Sequence, residues 1–129
     1  MQHTRILTLC AMVVFLLAGN VWATDKATPA ECIQKVKEAC KLIAEKGEAA
    51  YPMIRDKNGP FVWKNSYVVV SSMAGPLLVH PYVGKLEGTN QLKVKDAKGK
   101  LFEVEMRSLI KEKGSGWVDY WWIKPEVGS

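Results

Sequence analysis

Histidine and cysteine are scarce in this chain, with two and three among 129 residues, and His3 and Cys10 both fall in the N-terminal stretch. That leaves His80, Cys32 and Cys40 for the rest of the chain. No C-x-x-C pair occurs, so haem attachment and thioredoxin-like chemistry have no support. Neither a metal-ligand cluster nor a glycine-rich phosphate loop is present, and neither a cofactor nor a metal is expected. Long apolar runs are absent after Gly19, so no transmembrane segment is expected beyond the N-terminus. Lys and Arg are interspersed with Asp and Glu, and nothing in that pattern suggests nucleic acid as a partner.

Met1–Ala23 reads as a segment apart. Arg5 precedes the uncharged apolar run Ile6–Gly19, and Val21-Trp22-Ala23 suits signal peptidase. The run falls short of the roughly 20 residues of a membrane span. A cleaved secretory signal over 1–23 is the expectation, with an uncleaved anchor as the alternative. Leu16-Leu17-Ala18-Gly19 is followed by Asn20 rather than cysteine, so no lipoprotein anchor is expected. Removing 23 of 129 residues leaves 106, enough for one core, with seventeen basic residues against thirteen acidic. The expected location is periplasmic or secreted.

Thr28-Pro29-Ala30-Glu31 has the form of a helix start: a capping hydroxyl, proline in the first turn and a carboxylate three residues on. Ile33, Val36, Cys40, Ile43 and Ala44 follow at helical spacing and Gly47 is a natural stop, which predicts a helix over 29–46. It serves as a packing helix or a homodimer seam. Eight residues on one helix place the Cα atoms of Cys32 and Cys40 roughly 12 Å apart. A disulfide needs less than about 7 Å. Buried thiols or an intermolecular bridge therefore fit better than an internal bond.

Ser66–Pro81 is the organising stretch. The apolar runs Tyr67–Val70 and Leu77–Val79 flank Ser71–Pro76 and predict a hairpin, its continuous apolarity suggesting central strands covered on both faces. Phe61-Val62-Trp63 predicts a short strand before it. Glu48–Ile54 suggests a helical turn, and Arg55–Pro60 and Tyr82–Gln91 read as loops. Asp96-Ala97-Lys98-Gly99 is a turn signal, and Leu101, Phe102, Met106, Leu109 and Ile110 predict a second helix over about 100–113. Trp117–Lys124 predicts a last strand. Its alternation puts Trp117, Asp119 and Trp121 on one face and Val118, Tyr120 and Trp122 on the other.

An enzyme is not expected. Ser71 or Ser72 can be combined with His80 and Asp119 as a triad only on paper, and Glu103 and Glu105, two apart on a helix, point different ways. The aromatics Tyr67, Trp117, Tyr120, Trp121 and Trp122, with His80, either fill a core or line a pocket whose O–H and N–H donors sit on apolar walls.

The succession Phe61-Val62-Trp63, Tyr67–Val70, Gly75 and Leu77–Pro81 is followed by Lys85-Leu86 with Gly88, Lys95–Phe102 and Glu105-Met106. It closes with Gly114–Tyr120, Trp122 and Lys124-Pro125. This order and spacing over residues 31–125 resembles the single Cache domain, the extracytoplasmic sensor module of bacterial chemoreceptors and histidine kinases. The resemblance implies an α+β fold, with a long N-terminal helix on a PAS-like curved antiparallel sheet. It also implies a pocket for a small organic ligand such as a short carboxylate. Carried over by position, the ligand-binding candidates are Trp63, Tyr67, His80, Trp117, Tyr120 and Lys124, with His80 and Lys124 placed to offset a carboxylate's charge.

The chain departs from the family pattern in two places. Ser71-Ser72-Met73-Ala74-Gly75 stands where the family commonly has an acidic residue and a D-x-x-G turn. Family members also continue past Lys-Pro for one or two strands that complete the sheet. A Cache-like domain over 24–129 is thus expected to lack its last strands, its edge left open, completed by a partner chain, or missing through truncation. The implied function is small-molecule sensing with a membrane receptor or kinase as partner. The alternative is a non-enzymatic interaction module that pairs through the open sheet edge.

Overall fold

The computed structural model describes residues 26–123. The expected signal over 1–23, the domain boundary at 24 and Lys124 lie outside them.

Helix α1 spans Pro29–Lys46, with Thr28 as its cap: its hydroxyl accepts from the Glu31 N–H at 3.2 Å. Gly47, at φ 57, ends it and donates its N–H to the Ile43 carbonyl. A 3₁₀ turn, Gly47–Ala50, then leads into helix α2, Tyr51–Arg55. The buried face of α1 is narrower than the apolar spacing predicts. Ala39 is buried, but Ile33, Val36, Cys40 and Ala44 are exposed; the main core meets the helix through Ala39, Leu42 and Ile43 only.

That core comprises Ala39, Ala50, Ile54, Phe61, Val68 and Val79. Ile54 and Val79 are fully buried, each contributing about 2 kcal/mol on leaving water. Strand β1, Val62–Trp63, pairs antiparallel with β2, Ser66–Tyr67. Strand β3, Val70–Ser71, pairs antiparallel with β4, Leu77–Val79. The register shifts between Val70 and Ser71, so Leu78 is bulged out of the ladder.

The α+β class is as expected, with a long helix and short antiparallel ladders, and among the described residues the sheet is divided in two. The run Tyr67–Val70 is divided between two two-stranded ladders, with Tyr67 facing Val62 and Val70 facing Val79. A strand central to a sheet and covered on both faces would bury all four residues, whereas Val68 is buried and Val69 exposed. The free edge of β4 is met by the following loop. Leu77 donates to Thr89 and accepts from Gly88, and Gln91 donates to the Gly75 carbonyl.

Helix α3 spans Phe102–Lys113 and ends on Gly114 in the left-handed conformation. The turn before it is built on Asp96. Its carboxylate accepts from the N–H groups of Lys98 and Lys100 at 2.9 and 2.8 Å and from that of Trp121 at 2.9 Å. Trp117–Ile123, the described part of the strand predicted over Trp117–Lys124, forms no ladder with the described residues. It is held at one edge by the Asp96 turn, where Ala97 donates to the Trp121 carbonyl and Lys100 Nζ to that of Asp119.

Candidate functional site

A cleft of about 840 Å³ opens between α1, the 65–73 segment, α3 and the aromatic segment near 120. Its walls are mainly apolar, from Val36 and Ile43 on α1 to Met106 and Ile110 on α3. Three of the six ligand candidates, Tyr67, His80 and Tyr120, line it together.

His80 is 9% exposed. Its Nδ1 accepts from the N–H groups of Tyr82 and Val83, both at 3.1 Å. A ring nitrogen that accepts two N–H bonds carries no proton, so the neutral imidazole holds its proton on Nε2. Burial pushes the His80 pKa down, and the neighbouring Glu87 carboxylate only partly opposes this. Nε2 has no hydrogen-bond partner among the described residues. His80 itself lines the cleft.

The Tyr67 ring lies 5.1 Å from His80 and 5.1 Å from Tyr82. Burial raises the Tyr67 pKa, with smaller contributions from Tyr120 and Tyr82. Burial also raises that of Tyr120, followed by Glu103. Both phenols therefore stay protonated donors at neutral pH, and neither hydroxyl bonds to a described residue. Tyr120 stacks on Phe102 at 4.3 Å and 5°, and Trp122 meets the same ring edge-on. Phe102 thus fixes the aromatic wall to α3.

Trp63 and Trp117 stand elsewhere. Trp63 does not line the cleft; its indole N–H donates to Glu31 at 3.1 Å, and Lys35 Nζ lies 5.9 Å from its ring. It joins the first turn of α1 to β1. Trp117 also lies away from the cleft and is 63% exposed. Trp121 is exposed too, so neither fills a core. Cys32 and Cys40 border the cleft from one unbroken helix as free thiols, Cys40 exposed rather than buried.

Sequence reasoning missed Arg107, which is 8% exposed and borders the cleft. Its guanidinium donates to the Ser72 carbonyl at 3.1 and 2.7 Å, to that of Gly75 at 3.3 Å, and to Glu103 Oε2 at 2.6 Å. Arg55 is the second such anchor. It grips Glu87 through Nε and Nη2 at 2.6 to 2.9 Å, tying the loop after His80 to α2. A signal was present, since these are the only two arginines after residue 23. Forked, multi-contact anchoring is what Arg supplies and Lys does not. With Arg107 offset by Glu103, the polar groups left unengaged in the described wall of the cleft include the neutral donors of Tyr67, His80 and Tyr120.

A long helix and short antiparallel ladders around a cleft define an α+β domain. The chain belongs to the single Cache family: single Cache domain 2 matches residues 21–129. Among curated proteins and among solved structures, nothing matches the chain. Among the described residues no helix is long and apolar enough to cross a membrane, and no three His, Cys, Asp or Glu side chains gather as a metal site.

Proposed function

We propose that this chain is a ligand-binding sensor domain that works outside the cytoplasm, periplasmic or secreted, without catalysing a reaction. The observation that carries the reading is the convergence of Tyr67, His80 and Tyr120 on one apolar cleft, each with a donor that no described residue engages. A small organic molecule with hydrogen-bond acceptors and an apolar body fits such walls. A short carboxylate is included, its oxygens taking up the three donors. Occupancy would shift the population of α1 arrangements, and a membrane receptor or kinase would read that shift. A thermal-shift screen of short carboxylates, amino acids and amines tests the reading. At least one compound is expected to raise the melting temperature, and Tyr67→Phe to weaken that effect. A flat screen sinks the proposal.

One observation favours a second reading, an interaction module. Trp121 spends its N–H and C=O on Asp96 and Ala97, so by strand alternation those of Tyr120 and Trp122 point to the opposite edge. Those groups, like those of Val69 across the cleft, have no partner among the described residues, and an added strand would satisfy them. This reading predicts concentration-dependent dimerisation that Trp122→Pro abolishes. Sedimentation velocity across a dilution series distinguishes the two.

A further inference from the structure

Trp117, Trp121 and Ile123 lie away from the cleft and are 63%, 62% and 90% exposed. Large apolar side chains gathered within seven residues and left in water mark a contact surface. What lies beside them gives the surface a sign. The Trp121 backbone is bonded to the Asp96 turn, and Lys98 Nζ stands 4.1 Å from its ring. Lys93 and Lys95 are exposed a few residues before that turn.

Along the sequence, charge here looks mixed, because Asp96 sits among these lysines. In the fold Asp96 is buried and its carboxylate is spent on three backbone N–H groups, so it presents no negative charge outward. Lys100 is engaged with Glu105 and the Asp119 carbonyl. Lys93, Lys95 and Lys98 make no ion pair with a described residue. Asp119, exposed between Trp117 and Trp121, sets one negative charge against these three lysines, so the rim beside the unburied indoles is net positive.

We propose that this face docks on an anionic lipid bilayer surface, Trp117, Trp121 and Ile123 entering the headgroup layer while Lys93, Lys95 and Lys98 meet lipid phosphates. Indoles favour the membrane–water boundary, where the ring is desolvated and its N–H stays bonded. Apolar insertion and lysine attraction reinforce each other only where the lipid is negative. Bilayer contact is separate from ligand capture, since none of the six residues lines the cleft.

The test uses the full chain with vesicles of phosphatidylcholine alone and of equal parts phosphatidylcholine and phosphatidylglycerol. Co-sedimentation and a blue shift of tryptophan emission are expected with the anionic vesicles only, both lost at high salt. The double variant Trp117→Ser, Trp121→Ser is expected to weaken binding at least tenfold. The triple variant Lys93→Gln, Lys95→Gln, Lys98→Gln is expected to weaken it about a hundredfold. All five side chains are exposed, and far-ultraviolet circular dichroism checks that each variant is folded; if the tryptophan variant is not, the lysine variant decides alone. No binding to either vesicle, or equal binding to both, overturns the proposal. So does self-association that depends on Trp117 and Trp121 without lipid binding, which assigns the face to a protein partner. Binding that needs the lysines but survives loss of the tryptophans overturns the insertion.

Discussion

Arg107 on α3 holds the Ser72 carbonyl at 2.7 Å and, through the same guanidinium, the Glu103 carboxylate at 2.6 Å. One side chain thus joins α3 to the β3–β4 turn and keeps the two sides of the cleft at a fixed spacing. The pair is 9% and 13% exposed, so removing either partner strands a charge in poorly solvated surroundings. Arg107→Ala is expected to cost about 3 kcal/mol of stability, measured by urea denaturation. Arg107→Lys should recover only part of it, because a single ammonium cannot reach both carbonyls and the carboxylate.

Tyr67→Phe separates binding from folding. Its hydroxyl has no partner among the described residues, so stability should change by less than about 0.5 kcal/mol. Affinity for any ligand found by thermal shift should fall about tenfold, the worth of one hydrogen bond. A variant that loses stability but keeps affinity would remove Tyr67 from the site.

His80 makes stability depend on pH in a defined direction. Its folded pKa lies below the ordinary 6.5. Between that lowered value and 6.5 the unfolded chain therefore binds more protons than the folded one. Stability is complete above about pH 6.5 and falls as pH drops toward the folded value. The groups around the ring are Glu87 and Tyr82 on the following loop, Tyr67 on β2 and Arg55 on α2, the last clamped to Glu87. His80→Asn keeps a neutral acceptor and should flatten the denaturation midpoint across that window. An unchanged slope would assign the dependence to another group.

Asp96 titrates in a lower range. The Trp121 N–H is the largest cause holding its pKa below the ordinary 3.8, followed by those of Lys100 and Lys98. Its contribution is present above about pH 4 and is lost as acid protonates the folded carboxylate. Asp96→Asn should free the 117–123 segment at neutral pH, seen as faster proteolytic cleavage there while the helical circular dichroism persists.

Gly75 accepts little change. It sits at φ 126, and a Cβ would come 2.9 Å from Asn90 Oδ1. Gly75→Ala should cost about 1–3 kcal/mol. Adding Asn90→Gly should restore only the share due to contact, leaving the backbone strain.

Helices were legible because their punctuation is local. Thr28, Pro29 and Gly47 bound α1, and Gly114 ends α3, as their chemistry requires. The class and the family were legible too, carried by motif order over most of the chain. Pairing was not. Whether Val70 faces Val79 or a third strand is decided by distant partners, and an apolar run reads alike in a two-stranded ladder and a broad sheet. Tyr67, His80 and Tyr120 line one cleft, while Trp63 is drawn off by Glu31, a capping carboxylate whose second bond no local pattern announces. Arg107 escaped notice because its partners are mostly backbone carbonyls, which every residue carries.

Helix α1 is tied near both ends and borders the cleft between them. At its start Glu31 holds both the Trp63 indole and the Lys64 ammonium; past its end the chain turns into the buried Ala50 and Ile54. Between these supports, Val36 and Cys40 face the cleft. A rod held so cannot slide or pivot freely under a load at mid-span; it bows. Any molecule filling the cleft would therefore act on the curvature of α1, a change of shape that spin labels at Lys37 and Glu45 would register as a change in their separation.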